Sequence, residues 1–164
     1  MKRLKRGIIV CSVILLTLFM FASCSFTKDA SDTALERSKD YTHYTEMLDK
    51  FPLGSDYNDI TAYLDEEKLY YTTATDSLPR IQVFGGHLIF NADNELVSVF
   101  STAWQHPDGW GTGSALDEVE AIYGKGSKLN DTQETTYIFK GKDGKTLITV
   151  VFDKHCVAEQ WAIS

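Results

Sequence analysis

The chain lacks the residue spacings that usually carry chemistry. Its four histidines, His43, His87, His106 and His155, form no HxH, HxxxH or HExxH pattern, so no metal site is written in the local sequence. No Gly-x-Ser-x-Gly elbow presents a nucleophilic serine; the nearest string, Gly111-Thr112-Gly113-Ser114, reads as a turn and helix cap. Walker and dinucleotide glycine patterns are missing too. The string Gly141-Lys142-Asp143-Gly144-Lys145 sits between two strand patterns, where it makes a hairpin turn. Asp65-Glu66-Glu67 and Asp117-Glu118 follow or open helix patterns and read as solvated surface, negative charge in a first turn favouring the helix dipole. These absences predict a protein without catalytic residues, metal ligands or cofactor.

Long apolar runs are also missing. One run, Gly7 to Ala22, spans about 16 residues, short of the ~20 that cross a bilayer as a helix. Basic residues are few, 16 against 23 acidic, and four of them (Lys2, Arg3, Lys5, Arg6) crowd at the start. An acidic surplus repels nucleic acid and anionic lipid heads, which excludes both as charge-driven partners.

The basic start, the uncharged stretch and Ala22-Ser23-Cys24 together resemble the bacterial lipoprotein signal peptide, with Phe21 in place of the usual leucine. In that family the cysteine, here Cys24, is acylated and becomes the first residue of the mature protein. The resemblance implies a signal peptide over 1–23 and a lipid anchor at Cys24, palmitate or a similar chain. It places the protein at the cell membrane on its extracytoplasmic face. The alternative is an uncleaved signal anchor. Removing 1–23 leaves 141 residues with 12 basic and 23 acidic side chains, a formal balance of −11. Of three cysteines, Cys11 leaves with the signal and Cys24 is acylated. Cys156 alone remains, which excludes an intramolecular disulfide and suits a small buried side chain.

Residues 24–38 are polar and charged and predict a flexible tether. Tyr41, Tyr44, Met47, Leu48 and Phe51 then recur at helical spacing, and Pro52-Leu53-Gly54 ends that helix. Gly54-Ser55 leads into Tyr57, Ile60, Tyr63 and Leu64. At an offset of 59, Gly113-Ser114 leads into Leu116, Val119, Ile122 and Tyr123. Glycine permits the tight entry, serine caps the helix, and one apolar stripe faces a core. Asp117 adds a capping-box pattern after Ser114, and Gly124 and Gly126 stop the helix. Strand patterns follow each helix: 68–73, 80–84, 87–90 and 96–104, then 135–140, 146–152 and 157–163. Phe90-Asn91 and Phe152-Asp153 enter equivalent turns at an offset of 62. The prediction is an α+β domain over 39–164, built from two tandem helix-plus-β-hairpin repeats (about 39–104 and 111–164). The hairpins form one antiparallel sheet with the helices on one face.

The lipobox, the doubled helix starts Gly54 to Ile60 and Gly113 to Val119, and the closing hairpin Leu147 to Ile163 make the chain similar to a superfamily of small secreted domains. That superfamily includes the β-lactamase-inhibitor protein and the SmpA/OmlA-type outer-membrane assembly lipoproteins, and the match covers about residues 40 to 164. The resemblance implies a non-catalytic scaffold that binds another envelope or secreted protein. Its inhibitor members use a concave, aromatic-rich sheet face; its assembly members act as accessory subunits.

Aromatic residues make up 12% of the chain, and they supply the candidate contacts. Trp104 and Trp110 bracket His106-Pro107-Asp108-Gly109, so Trp104, His106, Asp108 and Trp110 are candidate partner-binding residues on a loop. The competing reading puts Trp104 at a strand end in the core and Trp110 beneath the second helix. Tyr70 and Tyr71 are candidates of the same kind, since one faces in and its neighbour faces out. A second functional class, a small-ligand or cell-wall-glycan binding lipoprotein with an aromatic-lined groove, also fits this composition.

Overall fold

The computed structural model describes residue 34 and residues 36–74, 78–129 and 134–164. The chain divides into two units, Met1–Glu36 and Arg37–Ser164, and the numbered elements all belong to the second. Cys24, the expected signal peptide 1–23 and residues 24–33 of the expected tether lie outside the described residues. Ser38 is buried and its hydroxyl accepts the Tyr70 N–H at 2.8 Å, while Arg37 Nε donates to the Glu67 carbonyl at 2.6 Å. Among the described residues no helix is long and apolar enough to cross a membrane.

Among the described residues, three helices form where the apolar stripes predict them. Helix α1 (Thr42–Lys50) buries Tyr44, Met47 and Leu48; α2 (Tyr57–Glu66) buries Ile60, Tyr63 and Leu64; α3 (Leu116–Tyr123) buries Val119. The caps differ from the expected serines. Asp56, not Ser55, caps α2 by accepting the Asn58 N–H at 2.7 Å. At α3 the N-cap is Ala115, whose N–H is taken by Glu118 Oε2 at 2.9 Å, and Ser114 Oγ accepts from Gly111 N instead. That is half of a capping box, one orphan donor satisfied by the glutamate three residues on.

The strands are β1 (Tyr71–Ala74), β2 (Arg80–Val83), β3 (Gly86–Phe90), β4 (Leu96–Ser101), β5 (Gln105–His106), β6 (Trp110–Gly111), β7 (Ser127–Lys128), β8 (Thr135–Lys140), β9 (Leu147–Phe152) and β10 (Ala158–Ile163). Eight form one antiparallel sheet in the order β1-β2-β3-β4-β10-β9-β8-β7, and β5 pairs with β6 in a separate hairpin. The first strand begins later than expected because the end of α2 uses residues 67–69. Lys68 adopts φ +54°, and Leu69 N–H closes on the Leu64 carbonyl at 2.9 Å. The fourth strand stops at Ser101 and not at Trp104. Ser101 Oγ accepts the N–H groups of both Ala103 and Trp104, at 3.1 and 2.8 Å, and this turns the chain so that Trp104 drops into the core.

Alternate residues of β2, β3 and β9 are buried, Ile81 and Val83, Leu88 and Phe90, Ile148, Val150 and Phe152, and β10 buries Ala158, Trp161 and Ile163 across a bulge between Ala158 and Gln160. These side chains share one core with the helix stripes, so one sheet face carries the helices. The architecture is α+β and rich in strand. Gly86 makes the helix-side packing possible, because a Cβ there would come within 2.6 Å of the Trp104 ring.

Two local arrangements recur. Gly54 N–H donates to the Leu96 carbonyl at 2.7 Å, and Gly113 N–H donates to the Ala158 carbonyl at 2.7 Å. Tyr57 N–H meets the Asn94 carbonyl and Leu116 N–H meets the Cys156 carbonyl, both at 2.9 Å. Asn94 and Cys156 both have positive φ, +64° and +61°. Cys156 is therefore an exposed turn residue, not the small buried one expected.

Candidate functional site

The β5–β6 hairpin is built by its own turn chemistry. Pro107 presets the first turn position, Gly109 supplies φ +88°, and Gly109 N–H returns to the His106 carbonyl at 2.9 Å. This turn holds His106 and Trp110 opposite each other, their rings stacked at 5.1 Å and 18°. Trp161 packs edge-on to His106 at 5.7 Å and tilts against Trp110 at 5.6 Å.

Asp108 joins three elements. Its Oδ2 accepts the Tyr123 hydroxyl of α3 at 2.6 Å, and its Oδ1 accepts Lys142 Nζ from the β8–β9 turn at 2.6 Å. Tyr123 in turn accepts the Trp110 indole N–H at 2.8 Å. The Asp108 backbone N–H donates to His106 Nδ1 at 3.1 Å, so the neutral ring, its tautomer assigned from this network, carries its proton on Nε2.

The electrostatics follow from this wiring. Burial alone would raise the Asp108 carboxyl, but hydrogen bonds from Lys142 and Tyr123 outweigh it and hold the group below the ordinary carboxylate range. Burial pushes His106 below its ordinary value, against the pull of the Asp108 carboxylate. Burial and the hydrogen bond to Asp108 drive the Tyr123 phenol far up, so it stays protonated. The result is a neutral imidazole, a fixed phenol and an ionised carboxylate with a lysine counter-charge. Among the described residues no Ser, Thr or Cys side chain hydrogen-bonds to His106, and no group of three or more metal-ligating side chains gathers.

Beside this cluster lies a groove of about 360 Å³. Leu48 and Leu53 from the end of α1 and beyond, with Ile148 and Ile163, supply its apolar lining. His106, Asp108, Tyr123, Lys142 and Asp49 supply its polar rim.

The candidate contacts from the sequence divide. Trp104 and Trp110 are both fully buried, so neither offers surface to a partner, and the competing core reading describes them. Trp104 stacks on Tyr44 at 4.8 Å and donates its indole N–H to the Phe84 carbonyl at 2.8 Å. Its own carbonyl takes the Trp161 indole N–H at 3.0 Å. His106 and Asp108 keep 15% and 25% of their side chains exposed, enough to line the groove but not to project from it. Tyr70, 45% exposed, and Tyr71, whose hydroxyl donates to Asp65 Oδ1 at 3.0 Å, flank the start of the β1 edge strand, apart from this cluster. Tyr123 and Lys142 belong to the site without having been candidates. Tyr123 reads as one more core position of α3 and Lys142 as a turn residue, and only the fold brings them to Asp108.

Among the described residues no helix lies on the other sheet face. One row of paired residues crosses it: Gln82, His87, Phe100, Ala162, Thr149 and Ile138. His87 stacks on Phe100 at 4.8 Å and 23°. Of the 23 acidic residues in the chain, Glu159 alone falls on a described strand, while Arg80, Lys128 and Lys140 also lie on strands.

No family model matches the chain, and no curated protein matches it. Among solved structures the chain is similar to the crystal structure of a DUF4309 family protein, YjgB, from Bacillus subtilis. The TM-score is 0.40 and the identity 10%, covering 67% of this chain and 78% of that one. At that TM-score the likeness is too weak to identify fold or function.

Proposed function

We propose that this protein is a lipid-anchored binding module on the extracytoplasmic face of the cell membrane, non-catalytic, that docks another envelope or secreted protein on its open sheet face. The observation that carries this reading is the charge segregation of the sheet. A chain with 23 acidic residues places one of them on its described strands and lines the open face with half-buried Phe100, Ala162, Ile138 and Val151. Depletion of charge around an aromatic centre is the compositional mark of an interface core. The expectation of a loop hot spot at Trp104 and Trp110 is replaced by this face, because the two rings are buried.

We further infer that the domain consists of two tandem repeats, each a helix followed by four strands, meeting where β4 pairs with β10. What supports this is the sheet order and the recurrence of two hydrogen bonds, Gly54 N–H to Leu96 O and Tyr57 N–H to Asn94 O in one half, Gly113 N–H to Ala158 O and Leu116 N–H to Cys156 O in the other. The turns agree as well. Asn91 Oδ1 accepts from Asp93 N and Glu95 N, and Asp153 Oδ1 accepts from His155 N and Val157 N, all at 2.8–2.9 Å. With the repeats we propose, as the family reading, a similarity to the β-lactamase-inhibitor and SmpA/OmlA-type domains.

The test is a crosslinking pull-down from native membranes with the wild-type protein and with Thr149→Arg. Thr149 faces outward at mid-sheet, so the variant keeps the fold. Loss of a stoichiometric protein partner in Thr149→Arg supports the reading; an unchanged set of captured proteins contradicts it.

A further inference from the structure

We propose that the groove beside Asp108 is a second binding site, independent of the open sheet face, and that it takes an alkylammonium group such as a lysine side chain. Asp108 and Asp49 would be its counter-charges, and Lys142 its built-in competitor. The argument starts from the lining. Leu48, Leu53, Ile148 and Ile163 offer a methylene stem an apolar bed. The carboxylates at the rim are not equivalent. Asp143 has its oxygens engaged by Lys145 N, Thr146 N and Thr146 Oγ1, so it serves the β8–β9 turn. Asp49 is exposed, lines the groove and makes no hydrogen bond or ion pair with the described residues.

Asp108 is a prepared acceptor. Tyr123, itself fixed by Trp110, holds Oδ2 in place, which leaves Oδ1 turned to a single partner, Lys142 Nζ. Lys142 is 63% exposed and sits on a turn. An ion pair of this kind is worth little in water, so an incoming ammonium can replace it at small loss. Lys142 is also the one basic side chain among the lining residues apart from the neutral His106. The Lys142 ammonium thus marks where a ligand ammonium would sit. The acidic surplus of the chain draws cations toward the site.

The test titrates the full-length protein in detergent micelles with Nα-acetyl-lysine N-methylamide and follows the NMR signal of the Trp110 indole N–H. Saturable binding on the order of millimolar is expected for so small a probe. The norleucine analogue, with the same stem and no ammonium, should bind at least about tenfold more weakly. Lys142→Met should tighten binding by about two- to fivefold and Asp49→Asn weaken it by a similar factor. Asp49 has no partner among the described residues, so that variant keeps the fold even if Asp108→Asn does not. Pentylamine separates the two sources of such a group. Tighter binding of the lysine amide supports a polypeptide ligand, and equal binding supports a small free amine. Equal affinity for the norleucine analogue, or weaker binding in Lys142→Met, would overturn the proposal.

Discussion

Gly54 and Gly113 adopt the same backbone conformation, φ +93° in each, and each donates its N–H at 2.7 Å to a strand carbonyl, Leu96 for one and Ala158 for the other. A Cβ at either position would meet nothing within 4 Å. The obstacle to replacing them is therefore conformational and not steric.

Gly54→Ala and Gly113→Ala should each destabilise the domain by about 1–2 kcal/mol, the usual penalty of a left-handed residue with a side chain. Under the repeat reading the two losses are alike. Urea unfolding of both variants measures them, and a loss at one position alone would mean that the two helix entries are not equivalent.

Trp104→Ala should cost about 3–5 kcal/mol, because it empties a fully buried site and orphans the Phe84 carbonyl. Phe84 O and the face of Tyr44 both lose their partner. Thermal or urea unfolding shows this directly. A stable, well-folded Trp104→Ala protein would contradict the core assignment.

The helix starts and the turn positions are legible in the sequence because glycine, serine and asparagine carry local backbone requirements that do not depend on distant residues. Alternation in 80–83 and 147–152 is equally local, and it points to the buried face correctly. Trp104 is different. Its place depends on Ser101 Oγ capturing two backbone N–H groups, which the strand pattern read through 104 conceals. The capping residues are ambiguous by one position, since Ser55 and Asp56 are neighbours with the same chemistry. Asp108, Tyr123 and Lys142 meet across sequence separations of 15 and 34 residues, so no local pattern brings them together. The open sheet face is visible in retrospect as a set of strands nearly free of acid, a signal that needs the strand boundaries first.

Acid should destabilise the domain in two stages. The His106 pKa is depressed by burial, so its stabilising contribution is present above its unfolded value near 6.5 and is lost as pH falls below that. Asp108 is also depressed, and its contribution is lost only as pH falls below about 3.8. His87, lowered by burial and by Arg80, adds to the first stage. Urea midpoints between pH 7.5 and 5 should fall less steeply in His106→Gln than in wild type, with His87→Gln as the partial comparison. An unchanged slope in His106→Gln would show that the ring is not buried as a neutral group.

Cys24→Ser should abolish the incorporation of labelled palmitate that the wild-type protein shows. Retention of the wild-type protein in membranes without label would favour the uncleaved signal anchor.

Site-specific photocrosslinking in native membranes tests the central claim most directly, with the probe placed either at Thr149 on the open sheet face or at Asp59 on the exposed side of α2. The account predicts a discrete protein adduct from Thr149, lost when Phe100→Asp is added, and none from Asp59. Adducts of equal yield from both positions, or none from Thr149, would contradict a sheet-face binding module.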